Sequence, residues 1–161
     1  MAIRSSLPTE DFDGWVTPWL PDLWRFAVSL SSLDDADDLV QDALTRAWTK
    51  RASFDPERGS ARSWLLAIVA DRARRRWIRR PKPVELAPPV PVAEPDVRRV
   101  DLRRAIAALP ARQRTTVFLH YYLDLPVSEV AAVLGCADGT VKSALHDARH
   151  ALARRLEAGD D

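Results

Sequence analysis

Residues 81–95 read PKPVELAPPVPVAEP, and six of these fifteen positions are proline. Proline has no amide hydrogen to donate and its ring clashes with the preceding helical turn. No helix crosses such a stretch, and no central strand runs through it. A structureless run this long is uncommon inside one compact domain. The composition therefore predicts a semi-extended, flexible linker over 81–97, between one domain at 1–80 and a second at 98–161. At ~3.1 Å per residue the proline-rich segment spans up to about 45 Å. Each flanking part has room for only a modest core.

On both sides the periodicity is helical. Residues 34–50, DDADDLVQDALTRAWTK, place Ala36, Leu39, Val40, Ala43, Leu44, Ala47 and Trp48 at i, i+3, i+4, i+7, i+8, i+11 and i+12. That makes one face of a helix apolar and fit for a core. Leu20–Leu30 and Ala61–Ile78 read as two more helices, with FDPERGS as a turn. Past the linker, 96–109 and 111–123 read as helices, and Pro110 stands at the break, where it suits a first helical turn. Five glycines in 161 residues and no lasting hydrophobic alternation leave little for strands. The predicted fold class is all-α, two small helical domains joined by the linker. Trp15, Trp19, Trp24 and Phe26 read as core packing, the first two as a helical i, i+4 pair.

The net charge is +1, but it is unevenly spread. Residues 1–57 carry eleven acids against five bases, 58–82 carry nine bases against one acid, and 83–161 are nearly balanced. Segregation on this scale points to two surfaces with different partners.

Three patterns carry chemistry. Between Arg72 and Lys82 seven bases fall within eleven residues. Such a density neutralises phosphates and releases counterions, and Trp64 and Trp77 beside it suit stacking on an unpaired base. A solvated helix end and a membrane-surface helix are the other readings of that run. The second pattern, VSEVAAVLGCADGTVKSAL at 127–145, has a short helix, a glycine and a second helix. Gly135 supplies the left-handed turn and Asp138 suits a cap. Val141, Leu145, Ala148 and Leu152 make one buried seam, which leaves Lys142, Ser143, His146 and Arg149 on the open side. This is a helix-turn-helix with its reading face exposed, or else an ordinary helical hairpin. The third pattern is an acidic stripe of Asp35, Asp38 and Asp42, with Asp34 and Asp37 nearby. Asp34 and Asp35 suit a helix N-terminus. Asp38 and Asp42 lie deeper and point to a basic protein partner.

The remaining signals exclude more than they assign. A single cysteine, Cys136, permits no internal disulfide and reads as filling a small apolar site in the turn. His146 and His150 stand at i, i+4 without a third ligand, and the acids lack a shaping glycine loop, so no metal or other cofactor is expected. No nucleophilic triad, phosphate loop or dinucleotide fingerprint argues for an enzyme or a small-molecule substrate. The longest apolar run, Trp64–Ala70, is too short to span a membrane, and the N-terminus has no secretory core. A cytoplasmic protein without membrane insertion is expected.

The stretches DADDLVQDALTRAWTKRASFDP, GSARSWLLAIVADRARRRWIRR and LPARQRTTVFLHYYLDLPVSEVAAVLGCADGTVKSALHDAR, in this order, resemble an extracytoplasmic-function sigma factor of bacterial RNA polymerase. The resemblance covers about 11–80 as region 2 and 98–156 as region 4. It implies that Asp35, Asp38, Gln41 and Asp42 dock on the basic clamp helices of core polymerase, while the second domain meets the flap. It implies that the Lys50–Ser60 loop, with Lys50, Arg51, Ser53, Phe54 and Asp55, holds a base flipped from the −10 element of promoter DNA. Trp64 would stand at the melted fork, with Arg72, Arg75, Arg76 and Arg79 on the backbone. Thr140, Lys142, Ser143, His146 and Arg149 would read the −35 element. An anti-sigma factor is a further implied partner.

Two positions depart from that family's pattern. Asp71 replaces a common Asn and should repel phosphate unless Arg74 or Arg75 neutralises it. Ala144 and Asp147 stand where arginines are common. The competing readings are a helix-turn-helix regulator that does not join polymerase and, more remotely, a metal-dependent nucleic-acid enzyme.

Overall fold

A computed structural model of the chain describes residues 11–79 and 97–157, the stretch 97–100 by its backbone alone. Of the expected linker, 81–96 lies outside the described residues, while Val97 opens a helix instead. Every regular element among those described is helical.

Asp11 opens the first element by accepting the Gly14 amide at 2.9 Å, and α1 (Phe12–Val16) runs through a 3₁₀ turn into α2 (Leu20–Leu30). Pro21 sits in the first turn of α2, where its missing amide hydrogen costs nothing. The next helix, α3 (Leu33–Lys50), begins on Ser32, whose Oγ accepts the Asp35 amide at 3.2 Å and donates to the Asp35 carboxylate at 3.0 Å. Thus Asp35 belongs in part to the helix cap, as its position near the N-terminus suggests. Ser60 plays the corresponding part for α4 (Ala61–Arg79), accepting the Ser63 amide at 3.1 Å.

Leu23, Phe26 and Ala27 of α2, Leu39, Ala43 and Ala47 of α3, and Leu65, Leu66 and Val69 of α4 are buried together. Each large side chain so buried contributes about 1.5–3 kcal/mol. The apolar face expected of α3 is observed up to Ala47, but Trp48 is a correction: it is 48% exposed. Its indole lies at the core's edge, edge-on against Phe12 with ring centres 5.3 Å apart, and the Arg51 guanidinium covers it 3.8 Å from the ring centre.

The second half contains α5 (Val97–Ala107), α6 (Ala111–Val117), α7 (Val127–Leu134) and α8 (Asp138–Glu157). The helix expected over 111–123 is finished by a π turn at Phe118–Tyr122, closed by the Leu123 amide on the Phe118 carbonyl at 3.0 Å. Arg114 ties the α5–α6 corner by donating to the Ala107 carbonyl at 2.7 Å, and burial lowers its pKa. Gly135 ends α7 at φ 64°, the left-handed conformation the sequence requires there. Asp138 is the first residue of α8 rather than its cap; Ala137 supplies the capping carbonyl, and the acid complements the helix dipole.

The two halves share one continuous core. Helix α4 packs along α7, and the Phe26 ring stacks on Phe118, which stacks on Tyr122. Polar contacts close the seam. Arg62 donates to the Asp22 carboxylate at 2.8 Å and to the Leu123 carbonyl at 2.6 Å, and Ser60 donates to Glu129 at 3.1 Å.

Candidate functional site

Helix α8 presents the most legible surface. Val141, Leu145 and Ala148 are buried, and Leu152 packs half-buried beneath them. The opposite side leaves Lys142, Ser143, His146 and Arg149 exposed, with Thr140 half-buried in the first turn. A turn opened by a left-handed glycine, followed by a long helix with one polar face free, is the arrangement that enters a major groove. Arg149 also meets the Tyr121 hydroxyl at 3.3 Å, so the π turn supports the far end of that face. Asp147 is exposed on the same helix, and Ala144 is half-buried. The His146 and His150 rings meet edge to face at 4.4 Å, and no cluster of three potential metal ligands occurs among the described residues.

Helix α3 carries its acids around the rim of its packed face, and Asp42 meets Arg72 of α4. Asp38 and Gln41 are exposed, and Asp35 and Asp42 are half-buried. Asp37 accepts the Trp24 indole N–H at 2.9 Å, which ties it to α2.

The loop from Lys50 to Ser60 rests on an aromatic cluster. Phe54 is 6% exposed and packs edge-on against Trp15 and Trp64, with ring centres 5.2 and 5.5 Å away. Lys50, Ser53 and Asp55 remain exposed above it, while Arg51 lies on Trp48. Phe54 thus faces inward beneath the loop, and half-buried Trp64 keeps only part of its surface for a ligand.

The basic run of α4 is partly neutralised from within. Arg72 grips Asp42 with both arms of its guanidinium, Nε at 2.7 Å and Nη2 at 3.0 Å. The Arg72 hydrogen bond holds the Asp42 carboxyl below its ordinary pKa, although burial opposes it, and Arg72 is raised in return. Asp71 accepts Arg74 and Arg75 at 2.8 Å each. Burial pushes its carboxyl up, but the two arginines outweigh that and leave it lowered. This is the neutralisation across one helical turn that the sequence asked of Asp71. Arg76 is half-buried and Arg79 exposed, and both add their fields at Asp42.

A pattern model for sigma-70 region 2 matches residues 15–82, and one for sigma-70 region 4 matches residues 99–152. The ECF RNA polymerase sigma factor SigC of Mycobacterium tuberculosis is 38% identical over 148 residues, covering 86% of this chain and 80% of its own. This chain belongs to the extracytoplasmic-function sigma factors. Another member, SigF of Caulobacter vibrioides, is 37% identical over 135 residues, covering 78% of this chain and 73% of its own. The sigma factor RpoE of Bartonella quintana, solved in complex with the anti-sigma factor NepR, superposes with a TM-score of 0.72 at 32% identity. That match covers 91% of this chain and 97% of RpoE. CnrH, solved with the cytosolic domain of CnrY, gives 0.68 at 27% identity, over 91% of this chain and 88% of its own. Membership sets aside the free-standing regulator, and sigma factors are non-enzymatic regulatory proteins. No helix among the described residues is long and apolar enough to cross a membrane.

Sequence reasoning missed the seam between the sigma regions: Ser60, Arg62, Asp22 and Glu129. One signal was present. Arg62 is a cation in the first turn of α4, where the helix dipole disfavours it unless a carboxylate compensates.

Proposed function

We propose that this sigma factor directs promoter-specific initiation by core RNA polymerase through three surfaces of its own. The acidic side of α3, with Asp35, Asp38, Gln41 and Asp42, docks on the basic clamp helices, and region 4 reaches the flap. The Lys50–Ser60 loop receives a base flipped from the −10 element. Lys50, Ser53 and Asp55 line its rim and Phe54 and Trp64 stiffen it from below, while Arg75, Arg76 and Arg79 of α4 follow the backbone. Thr140, Lys142, Ser143, His146 and Arg149 of α8 read the −35 element. Flipping costs a few kcal/mol of lost stacking, which contacts to the flipped base and its flanking phosphates must offset.

The observation that carries this reading is the pairing, in one chain, of an exposed acidic helix with a helix-turn-helix whose polar face is free. A DNA-only protein has no use for the first. The shape shared with RpoE and CnrH supports an anti-sigma factor as a further partner. The cytoplasm is where such a factor meets polymerase.

The test is charge reversal of the exposed acid of the stripe, Asp38→Arg. It should weaken binding to core polymerase at least tenfold and leave duplex DNA binding unchanged. Undiminished core binding would remove α3 from the interface.

A further inference from the structure

Arg72 stands where two of the proposed working faces meet. Its helix carries the basic run, and its partner Asp42 belongs to the acidic side of α3. The two-armed grip is the geometry an arginine uses on phosphate, so the carboxylate stands where a phosphate oxygen pair would. Both side chains stay open to solvent, at 26% for Arg72 and 31% for Asp42, and the pair can be reached from outside. As a strut it has little to do: Leu39, Ala43, Leu66 and Val69 already bury the contact between α3 and α4, and ion pairs this exposed contribute little to stability.

We propose that Asp42 takes the place of phosphate and holds Arg72 in reserve, and that a basic protein surface docking on Asp42 hands Arg72 to the promoter backbone. This rests on the reading that α3 meets a basic surface of polymerase. In the free chain, DNA must displace a carboxylate to gain Arg72, and a partner cation must compete with Arg72 for the same two oxygens. When both arrive, one internal pair becomes two external ones, acid to partner and arginine to phosphate. Each binding event then favours the other, and by linkage the favour is mutual. The DNA affinity of the free factor is held down, and polymerase restores it. Asp71 restrains Arg74 and Arg75 in the same way but lies on α4 itself, away from the acidic stripe.

The salt dependence of DNA binding tests this, because its slope counts the phosphates neutralised. Fork-junction DNA of one fixed sequence serves as probe, with the free factor and with the factor saturated on core polymerase. In the free factor, Asp42→Asn should steepen the slope by ~0.7–0.9, the increment of one phosphate contact. Adding Arg72→Gln to that variant should return the slope to the wild-type value, which separates a released arginine from the mere loss of a negative charge. In the holoenzyme, Arg72→Gln alone should make the slope shallower by the same ~0.7–0.9. A folded Asp42→Asn protein with an unaltered slope overturns the proposal. So does a gain that survives Arg72→Gln, or a holoenzyme indifferent to Arg72. Should the holoenzyme variant fail to assemble, the two free-factor slopes decide. Failure of the wild-type chain to bind core would instead sink the polymerase reading, and it is seen in the preceding core titration.

Discussion

Arg62→Ala should open the seam between the two sigma regions. The wild-type guanidinium is 21% exposed and holds the Asp22 carboxylate, itself 20% exposed, while a second arm reaches the Leu123 carbonyl. Charge-assisted hydrogen bonds contribute about 1.5–3 kcal/mol each. Asp22 and Arg62 both belong to region 2, and Arg25 remains 3.6 Å from Asp22, so the bond to the buried Leu123 carbonyl is the one that holds the regions together. A net cost of about 2 kcal/mol to the packed arrangement is a reasonable figure, and it raises the ratio of open to packed molecules about 30-fold. Cys136, the only native cysteine, supplies one label in the helix-turn-helix, and Arg46→Cys on the exposed side of α3 supplies the other. Single-molecule energy transfer between dyes at these sites should show the low-transfer population growing in Arg62→Ala. An unchanged distribution, with both halves still folded, would refute the view that Arg62 ties the seam.

Three further outcomes follow from the same contacts. Because Arg72 lowers the folded pKa of Asp42, the pair's stabilisation is present above the unfolded carboxyl pKa of ~3.9 and is lost as pH falls through the folded value. The stability of wild type, read by denaturant unfolding, should therefore exceed that of Asp42→Asn by no more than about 1 kcal/mol at pH 7, as suits so exposed a pair, with the gap shrinking below about pH 4. Gly135→Ala should destabilise the chain by about 1–2 kcal/mol in chemical denaturation. An added Cβ meets nothing within 4 Å, so a positive φ is the whole cost; an unchanged midpoint would contradict that. Asp147→Arg, on the exposed side of α8, should tighten binding to duplex DNA in a gel-shift or anisotropy titration.

The helices were legible because their signals are local. The apolar spacing of α3, the proline at the head of α6 and the left-handed Gly135 each act within a few residues. The reading face of α8 was legible for the same reason, since a buried seam at Val141, Leu145 and Ala148 fixes what lies opposite. What periodicity could not give was contact between distant segments. Nothing local pairs Arg62 with Leu123, stacks Phe26 on Phe118, or sets Arg72 on Asp42 thirty residues away. Trp48 shows the same limit. Its spacing placed it in the core, but the 3₁₀ turn at Arg51–Ser53 brings an arginine onto its ring and leaves it half in solvent.

The most direct test of the account is titration of the labelled chain with sigma-free core RNA polymerase, beside a parallel titration with duplex DNA alone. Tight binding to core that the primary sigma factor displaces, together with weak binding to DNA alone, is the predicted result. Tight, sequence-specific binding to duplex DNA with no affinity for core would contradict it.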